Sequence, residues 1–593
     1  MSKLTDRDLD WLALESCEII GFRSGSTVSY DVAGYDRTPR DEIDPALIPQ
    51  KDALPPSDIP CPAQATFAAD PYIVRIAGFR RRDMFGPDDI GKLISERGIP
   101  WNDSLGNGLY ESLLIDRKYG LFHTLEAPIL GFDLPFLDEE WASFKTFYPG
   151  LMPRFQSDLR EMEAIYHGPL AAHGRKLIVL WGREYPLSLF VKAYDRNPAG
   201  VEAELKREIG VSLPPINPQT TQDRAALTRF WMLLRARQAR VLEFQAEVLR
   251  DTLGEGTIVI TNIHELPPHD MEAQARAFDY PAVAIRPLLI ADDLVRRYNI
   301  AYFTQFYHDL TGKSPIVSVR MNLSAATPQI IPAGNLIRTW YDQAVRHGAG
   351  AFYFWTRDYP TMEGAYDGPI PGNPVASTLP EERWKTSLDM LGSAATHCRF
   401  IVPEAEIGIF VPNESALMHR TEWQRLYSCF SVCCEARIHT RFISDRQIQN
   451  SGIPSNIKVL LIPVLEFLSV ELRAKLEAFA NEGGLLLVVA GPLYDDEGNP
   501  TSGLNGAGQL DSSFVEAIQL DRPGELSTLQ SAADVLTKLI KTSSADMQDW
   551  VFDVTMKNLS PSEVSLLCEK DQQIQFEPWM YEHGSEWIMP YID

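Results

Sequence analysis

The sequence predicts an α/β protein built on parallel strands, and two observations support this. From Tyr72 onwards, short apolar runs of strand length alternate with stretches of helix length, which is the pattern of repeated β/α units. After about residue 398 a similar alternation begins again in a shorter form. With 593 residues, of which 45% are apolar, the chain is long enough for several hydrophobic cores.

Eight strands are predicted in the first repeat, and their order along the chain is YIVRIAGF, IPWND, LFHTLEAPI, KLIVLWGREYP, GTIVITNIHE, PAVAIRPLLI, SPIVSVRMN and AGAFYFW. Helical segments separate them, including PRFQSDLREMEAIYHGPLAAHG after the third strand and a long amphipathic helix from about Asp223 to Leu253 after the fourth. Eight strands with intervening helices over about 320 residues predict a (β/α)8 TIM barrel with insertions. An open doubly wound sheet is the alternative, but no glycine fingerprint opens any of these helices.

Four domains follow from this pattern. Residues 1–71 are dense in Pro and Asp and form a loop-rich N-terminal extension, and residues 72–398 form the barrel. Residues 399–545 contain the order strand, helix, Gly-Gly, strand, which predicts a flavodoxin-like α/β domain. Residues 546–593 alternate with period two, as in a small antiparallel β domain.

Charge and hydropathy limit the partners. The formal net charge of −25 argues against a nucleic-acid backbone or an anionic membrane surface and favours a neutral or small substrate. The first residues contain no apolar core of signal-peptide length, and no run approaches the roughly 18 apolar residues of a membrane span. We therefore expect a cytoplasmic protein with no nucleic-acid or membrane partner.

The cysteines and histidines do not predict a metal site. Seven cysteines without paired spacing describe a reduced chain rather than a disulfide framework. Cys429, Cys433 and Cys434 lie in a helix-like segment and are expected to pack in a core. Three histidines near predicted strand ends lack the spacing of a metal pair on a helix; they are His123, His264 and His269. We expect neither a metal nor another cofactor.

A carboxylate follows the fourth predicted strand, in the stretch LIVLWGREYP from Leu177 to Pro186. In a parallel barrel, charged side chains can serve chemistry only at the C-terminal rim, and Glu184 is expected there. On pattern alone, two interpretations are equally good. Glu184 is either a structural carboxylate paired with Arg183 or a catalytic acid.

This stretch resembles the β-galactosidases of glycoside hydrolase family 42, whose fourth strand ends in a Trp and an Asn-Glu-Tyr-Gly motif. The segment RFWMLLRARQARVLEFQAEVLRDTLGEGTIVITN is similar to their helix and fifth strand, which reach a Thr-Thr-Asn motif where this chain has Ile260, Thr261 and Asn262. RTWYDQAVRHGAGAFYFW is similar to their helix and eighth strand, and VLLIPVLEFLSVELRAKLEAFANEGGLLLV to their trimerisation domain. The resemblance covers roughly residues 72 to 593.

The resemblance implies a glycosidase that cleaves a small β-linked glycoside, either galactoside-like or anionic, and that assembles as a homotrimer. It assigns the general acid/base to Glu184, and an apolar neighbour such as Trp181 would help this carboxyl group to keep its proton. Arg183 replaces the Asn of the family motif, so it must either turn outward or bind an anionic substrate. Some family members hold zinc through cysteines after the acid/base strand, but PLSLFVKAYDRNPAG contains none.

The seventh strand departs from the family pattern. The nucleophilic Glu is expected there, but GKSPIVSVRMNLS has no acidic residue and Arg320 occupies that position. Glu126 at the end of the third strand and Glu265 after the fifth are the candidates for the second catalytic carboxylate, with Asp279 and Glu363 as further candidates. A wide separation between the two carboxyl groups, ~6.5 to 9.5 Å, would give inversion, and ~5 Å would give retention.

Several other residues are candidates for binding substrate. Trp181 and Trp355 are possible stacking platforms for a sugar ring, although barrel packing is the more ordinary role of a tryptophan. The remaining candidates are Arg183, Arg320 and Arg357 for an anionic sugar, Asn262, and Glu363 at the position of a family sugar-binding Glu. A carbohydrate-binding protein without catalysis is the main alternative to a glycosidase, and a lyase that steadies an anion with Arg320 is a weaker third.

Overall fold

The computed structural model describes a part of the chain, and every structural statement below concerns that part. It comprises residues 77–80, 101–102, 125–126, 135–153, 155–156, 176–180, 187–214, 219–254, 257–261, 263–264, 272, 276–285, 293–320, 340, 343–344, 347–349, 351–355, 398–400, 405–412, 420–436, 438–463, 465–488, 493–509, 533–534, 536–538 and 568–570.

The barrel strands are short and lie in the predicted order. Their bounds are β1 Ala77–Arg80, β2 Trp101–Asn102, β3 Leu125–Glu126, β4 Lys176–Leu180, β5 Thr257–Thr261, β6 Ile263–His264, β7 Ala282–Ile285, β8 Ile316–Arg320 and β9 Ala351–Trp355. Apolar and β-branched residues dominate these strands, as expected where both faces of a sheet are covered. Val259, Val283 and Val317, in three different strands, are fully buried.

The pairing arranges these strands in the order of a barrel. β3 pairs with β4 and β4 with β5, while β6, β7, β8, β9, β1 and β2 pair in that order, and all these pairings are parallel. Only residue 262 separates β5 from β6, and together β5 and β6 occupy the fifth position in the order of the barrel. The last strand, β9, pairs with the first, β1, which an open doubly wound sheet in chain order would not allow. The described residues thus contain every neighbouring pairing of an eight-stranded barrel except that between β2 and β3, and the predicted barrel is confirmed.

Five helices with described bounds accompany these strands: α1 Asp138–Gly150, α2 Leu187–Arg196, α3 Pro198–Ile209, α4 Thr221–Leu253 and α5 Asp293–Thr311. The predicted long helix corresponds to α4, whose 33 residues span about 50 Å at 1.5 Å per residue. It begins where the Thr220 hydroxyl accepts from the Asp223 N–H at 3.1 Å and the Asp223 carboxylate accepts from the Thr220 N–H at 3.2 Å. The sequence prediction did not include α1, α2 or α3.

The long helix α4 packs into two separate cores. Its C-terminal half lies against α1, β5 and the segment before β7, in a cluster that includes Phe144, Leu249 and Phe278. Its N-terminal half lies against α2 and α3, in a second cluster that includes Phe190 and Phe230. The helices α2 and α3, which follow β4 along the chain, are therefore fixed to the barrel through α4.

A second sheet follows the barrel. The elements after the barrel, not all of which belong to this sheet, are β10 Cys398–Phe400, β11 Ile407–Val411, α6 Arg420–Glu435, β12 Thr440–Ser444, α7 Asp445–Ser451, β13 Val459–Ile462, α8 Val470–Asn481, β14 Leu485–Val488, β15 Leu493–Tyr494, β16 Pro500–Thr501, β17 Gly508–Gln509 and β18 Cys568–Lys570. The sheet has the parallel order β12-β11-β13-β14-β17. Numbered along the chain, this order is 2-1-3-4-5, which is the strand order of flavodoxin-like folds. β15 and β16 form an antiparallel pair, and β18 in the chain's last segment pairs antiparallel with β10.

The helix α5 of the barrel covers the second sheet at its end strand, β12. Tyr302 of α5 packs against Tyr427, Phe430 and Phe442 with ring centroids 5.0, 5.5 and 5.4 Å away. Gln305 donates from its side-chain amide to the carbonyl of Thr440. Because an uncovered end strand offers unpaired backbone groups to other chains, the helix also protects this edge.

No helix in the described portion combines the length and the apolar character needed to cross a bilayer.

Candidate active site

Three barrel strands end at the same level. The last residue of β1, Arg80, is in register with Trp355, the last residue of β9, and Trp355 is in register with Arg320, the last residue of β8. In a parallel barrel the C-terminal strand ends form the face on which active sites are built. The backbone therefore brings two predicted site residues, Trp355 and Arg320, side by side on that face.

Arg80 was not among the predicted site residues. The sequence prediction ended the first strand at Phe79, one residue before β1 ends, and no pattern along a single chain shows which residues of separate strands are in register. The stretch GFRRRD, with three consecutive arginines after the apolar run, was the available signal.

The third strand also ends in a predicted site residue. Glu126 is the last residue of β3 and is in register with Val179, while the following residue of β4, Leu180, is in register with Thr261 at the end of β5. Glu126 therefore lies one level below the end of β4, on the neighbouring strand. This backbone position agrees with its prediction as a rim carboxylate, and its catalytic role stays a prediction.

The connection that contains Glu184 is short and is attached at both ends. β4 ends at Leu180 and α2 begins at Leu187, so six residues join them, among them Trp181, Arg183 and Glu184. These six lie outside the described residues. At the far end, Phe190 of α2 is fully buried, with its ring 4.8 Å from Phe230. The chain thus leaves the C-terminal face at the end of β4 and, after six connecting residues, begins a helix that is fixed in a core through Phe190.

Other predicted site residues also lie outside the described residues. Asn262 separates β5 from β6, and Glu265 directly follows His264, the last residue of β6. Arg357 comes two residues after the end of β9, and Glu363 lies further along the same connection.

Asp279, a further candidate for the second carboxylate, is at the wrong end of the barrel. Its carboxylate accepts a 2.7 Å hydrogen bond from the backbone N–H of Val259 and a 2.9 Å bond from the Arg250 guanidinium. It precedes β7, which begins at Ala282, and the N-terminal ends of parallel strands lie opposite the catalytic face. The proposal of Asp279 as a catalytic group is therefore wrong.

Lys313 lies beside Asp279, at the same end of the barrel. Its ammonium donates to the carbonyl of Phe278. Burial lowers the pKa of Lys313, and the nearby Asp279 carboxylate opposes this shift. These charges hold the segment before β7 to the end of α4, at the end of the barrel opposite the C-terminal strand ends.

The seventh barrel strand offers no carboxylate. β8 has the sequence IVSVR and ends at Arg320. The position that the family resemblance assigns to a nucleophile is thus held by a residue that stays cationic at all accessible pH values.

The clustered cysteines lie far along the chain, in α6. Cys429 and Cys433 are both buried and free. A hydrogen bond with Cys433, together with burial, raises the pKa of the Cys429 thiol and keeps it protonated. Within the described part of the chain, no group of three or more His, Cys, Asp or Glu residues is arranged to hold a metal ion.

Comparison with known proteins gives matches at the level of structure. No family model matches the sequence, and no curated protein matches it. Among solved structures, a polyextremophilic β-galactosidase from the Antarctic haloarchaeon Halorubrum lacusprofundi is 12% identical with a TM-score of 0.53, covering 73% of this chain and 75% of that one. A catalytic mutant of a GH42 β-galactosidase from G. stearothermophilus is 14% identical with a TM-score of 0.51, covering 73% and 74%.

A β-galactosidase from Bacillus circulans sp. alkalophilus is also similar, at 13% identity and a TM-score of 0.50, covering 74% of each chain. The chain therefore has a distant GH42-like fold. These identities establish a likeness of fold alone.

Proposed function

We propose that the protein is a glycoside hydrolase that cleaves a small β-linked glycoside, with Glu184 as the general acid. The observation that carries the proposal is the eight-stranded barrel, in which the chain leaves the C-terminal end of β4 and reaches Glu184 four residues later. The GH42-like fold supports the same reading, because the similar proteins are β-galactosidases.

In this proposal Glu184 donates its proton to the departing glycosidic oxygen as the bond from that oxygen to the anomeric carbon breaks. An apolar surface such as the Trp181 indole would disfavour the charged carboxylate and so keep the proton available at neutral pH. Arg183 then has to point away from the carboxyl group or bind an anionic part of the substrate.

The second carboxylate is proposed to be Glu126 or Glu265. Glu126 is the last residue of β3, and Glu265 follows β5 and β6. β3 and β5 are the two neighbours of β4, and adjacent strands are about 4.8 Å apart. With either residue as a base ~6.5 to 9.5 Å from Glu184, water would attack the anomeric carbon, lose its proton to that base and invert the configuration. At ~5 Å the same residue would act as a nucleophile and the configuration would be retained.

Sugar contacts are proposed for the remaining candidates. Trp355, at the end of β9, would stack on the C–H face of a sugar ring. Four further candidates follow β4, β5 and β9 along the chain. They would bind the hydroxyl groups of the sugar or close the site around them, and they are Trp181, Asn262, Arg357 and Glu363.

The test is a matched pair of variants assayed against a panel of phenyl β-glycosides, whose leaving group needs a proton to depart. Glu184→Gln keeps the size of the side chain but cannot donate a proton, and we expect a loss of about 10²- to 10⁴-fold in kcat/KM. Glu243→Gln, which alters an exposed carboxylate paired with Arg276 on α4, should retain full activity. Equal activity of the two variants would exclude Glu184 as the acid. Glu126→Gln and Glu265→Gln identify the second carboxylate in the same assay.

A second candidate function is carbohydrate binding without hydrolysis. The observation that favours it is Arg320 at the end of β8, in the position where the resemblance calls for a nucleophile. Turnover of any glycoside in the panel by the wild-type protein, abolished by Glu184→Gln, would exclude it. Binding of a glycoside with no turnover would support it.

We also propose that residues 399–545 join three copies of the chain. The family resemblance of this segment supports the proposal, and closed symmetric assemblies are the usual outcome for such interfaces. Light scattering should give about 200 kDa, three times the 66.7 kDa of one chain, and a mass of one chain would refute the trimer.

A further inference from the structure

We propose that the sugar bound at this face carries an anionic group, a carboxylate or a sulfate, and that Arg80 and Arg320 bind it. This inference rests on the proposed function to the extent that the ligand is a sugar. It adds the substrate class and a residue, Arg80, that sequence reasoning did not identify.

The register of three strands brings the two arginines together. Arg80 is paired with Trp355 and Trp355 with Arg320, so the two arginines flank the same residue at the same level of the barrel. Residues in register on parallel strands share a face of the sheet. Two strand spacings of about 4.8 Å put their Cα atoms about 10 Å apart, a distance that two long side chains can bridge to one anion.

Guanidinium chemistry favours this kind of ligand. Each guanidinium presents a planar fork of N–H donors that matches the two oxygens of a carboxylate or a sulfate. Trp355 is in register with both arginines on the strand between theirs, and an indole is a side chain on which a sugar ring can stack.

The overall charge of the chain shows that the two arginines do not belong to a generally basic surface. At a net charge of −25, this protein is not generally basic, so two arginines in register at strand ends are a local feature. Arginine keeps its charge at all accessible pH values, so an anion bound by both residues would be held by two permanent charges. The same reasoning accounts for Arg320 at a position where a hydrolase of neutral galactosides is expected to have an acid.

The test compares two glycosides that differ only at C6: 4-nitrophenyl β-D-galactopyranoside and 4-nitrophenyl β-D-galactopyranosiduronate, with the 6-sulfate as a third arm. Wild-type protein should prefer an anionic substrate, and the arm with the higher kcat/KM identifies carboxylate or sulfate. Arg320→Gln and Arg80→Gln should each lower the ratio of anionic to neutral kcat/KM by about 10- to 100-fold. Arg276→Gln, an exposed arginine paired with Glu243, is the control and should leave the ratio unchanged.

Binding measured without turnover separates this inference from the hydrolase proposal. Calorimetry on the full chain uses methyl β-D-galactopyranosiduronate, methyl β-D-galactopyranoside and its 6-sulfate. Selective binding of an anionic sugar without hydrolysis would support this inference and overturn the proposed hydrolase. Hydrolysis with no preference for an anionic sugar would support the hydrolase and overturn this inference.

Misfolding of a variant does not block the test. Arg320→Lys retains the charge and loses the fork, and it should lower the ratio less than Arg320→Gln does. If all arginine variants are unfolded, the selectivity of the wild-type protein decides, because equal or weaker binding of both anionic sugars relative to the neutral one contradicts the proposal.

Discussion

One carboxylate oxygen of Asp309, in α5 of the barrel, accepts a 2.9 Å hydrogen bond from the backbone N–H of Phe442, in the end strand of the second sheet. The other oxygen lies 3.0 Å from Nδ1 of His308. The backbone carbonyl of Asp309 accepts from the Gln447 side chain at 3.0 Å. A single residue therefore joins the barrel to β12 and to α7, beside the aromatic contacts of Tyr302.

Replacing Asp309 with Ala should destabilise the protein. Its side chain is only 7% exposed, so the Phe442 N–H would be left without this acceptor in a region that excludes water. We expect a loss of about 1 to 3 kcal/mol in the free energy of unfolding, measured by denaturant titration. Asp496→Ala, at an exposed turn, is the control and should be near neutral, and an equally small effect of Asp309→Ala would contradict the role of this contact.

Replacing Asp279 with Asn should weaken the barrel without altering substrate binding. The change removes the charge that holds Arg250 and weakens the acceptor for the Val259 N–H, at the end of the barrel opposite the proposed site. We expect a loss of about 0.5 to 1.5 kcal/mol in unfolding free energy, because both side chains of the ion pair are partly exposed. Asp251→Asn, an exposed residue in the same turn of α4 as Arg250, is the control.

The assay of the folded Asp279→Asn protein gives a second readout. Its kcat/KM for the best glycoside should equal that of the wild type. A folded and stable variant that has lost activity would return Asp279 to the list of catalytic candidates.

Replacing Tyr148 with Phe should stabilise the protein. Tyr148 is fully buried beside Phe144 and Phe244, and its hydroxyl has no hydrogen-bond partner among the residues that the structure describes. Removing a buried, unpaired hydroxyl should raise the free energy of unfolding by about 1 kcal/mol. Tyr194→Phe, at a partly exposed position in α2, is the control, and a clear loss of stability in Tyr148→Phe would disprove the unpaired hydroxyl.

The effect of this substitution should depend on pH. Burial raises the pKa of Tyr148 far above its ordinary value of 10.0, so the folded state keeps the proton that the unfolded state loses in alkali. The unfolding free energy of the wild type should therefore fall as the pH rises above 10.0, and Tyr148→Phe should lack this contribution. The advantage of the variant over the wild type, measured by thermal unfolding, should widen from pH 9 to about pH 11. A constant difference would contradict the shift.

The parts of the fold that sequence predicted are those with strong local patterns. The strands β4, β5, β7, β8 and β9 are apolar and rich in β-branched or aromatic residues, and α4 has a capping box at one end and Gly254, with φ 81°, at the other. The missed helix α1 has a weaker pattern, because Phe147 is 58% exposed on its surface and Pro149 lies in its last turn. The order of the second sheet depends on where each crossover passes, which no local pattern contains.

The candidate site was predictable in part for the same reason. Glu126, Arg320 and Trp355 are at strand ends because the lengths of apolar runs mark those ends. The register that joins Arg80 to Trp355 depends on the pairing of the first and last strands, which are about 270 residues apart along the chain and meet only on closure of the barrel. Asp279 was misplaced because a residue close to a strand in sequence can belong to either end of it.

The central claim, that Glu184 protonates the leaving group of a β-glycoside, is tested most directly by the dependence of rate on the leaving group. Wild-type protein and Glu184→Gln are compared on two aryl glycosides of the preferred sugar, one with phenol and one with 2,4-dinitrophenol as leaving group. Because dinitrophenolate departs without a proton, the claim predicts a large loss of kcat/KM for the phenyl glycoside and a much smaller one for the dinitrophenyl glycoside. An equal loss for both substrates, or no loss for either, would contradict it.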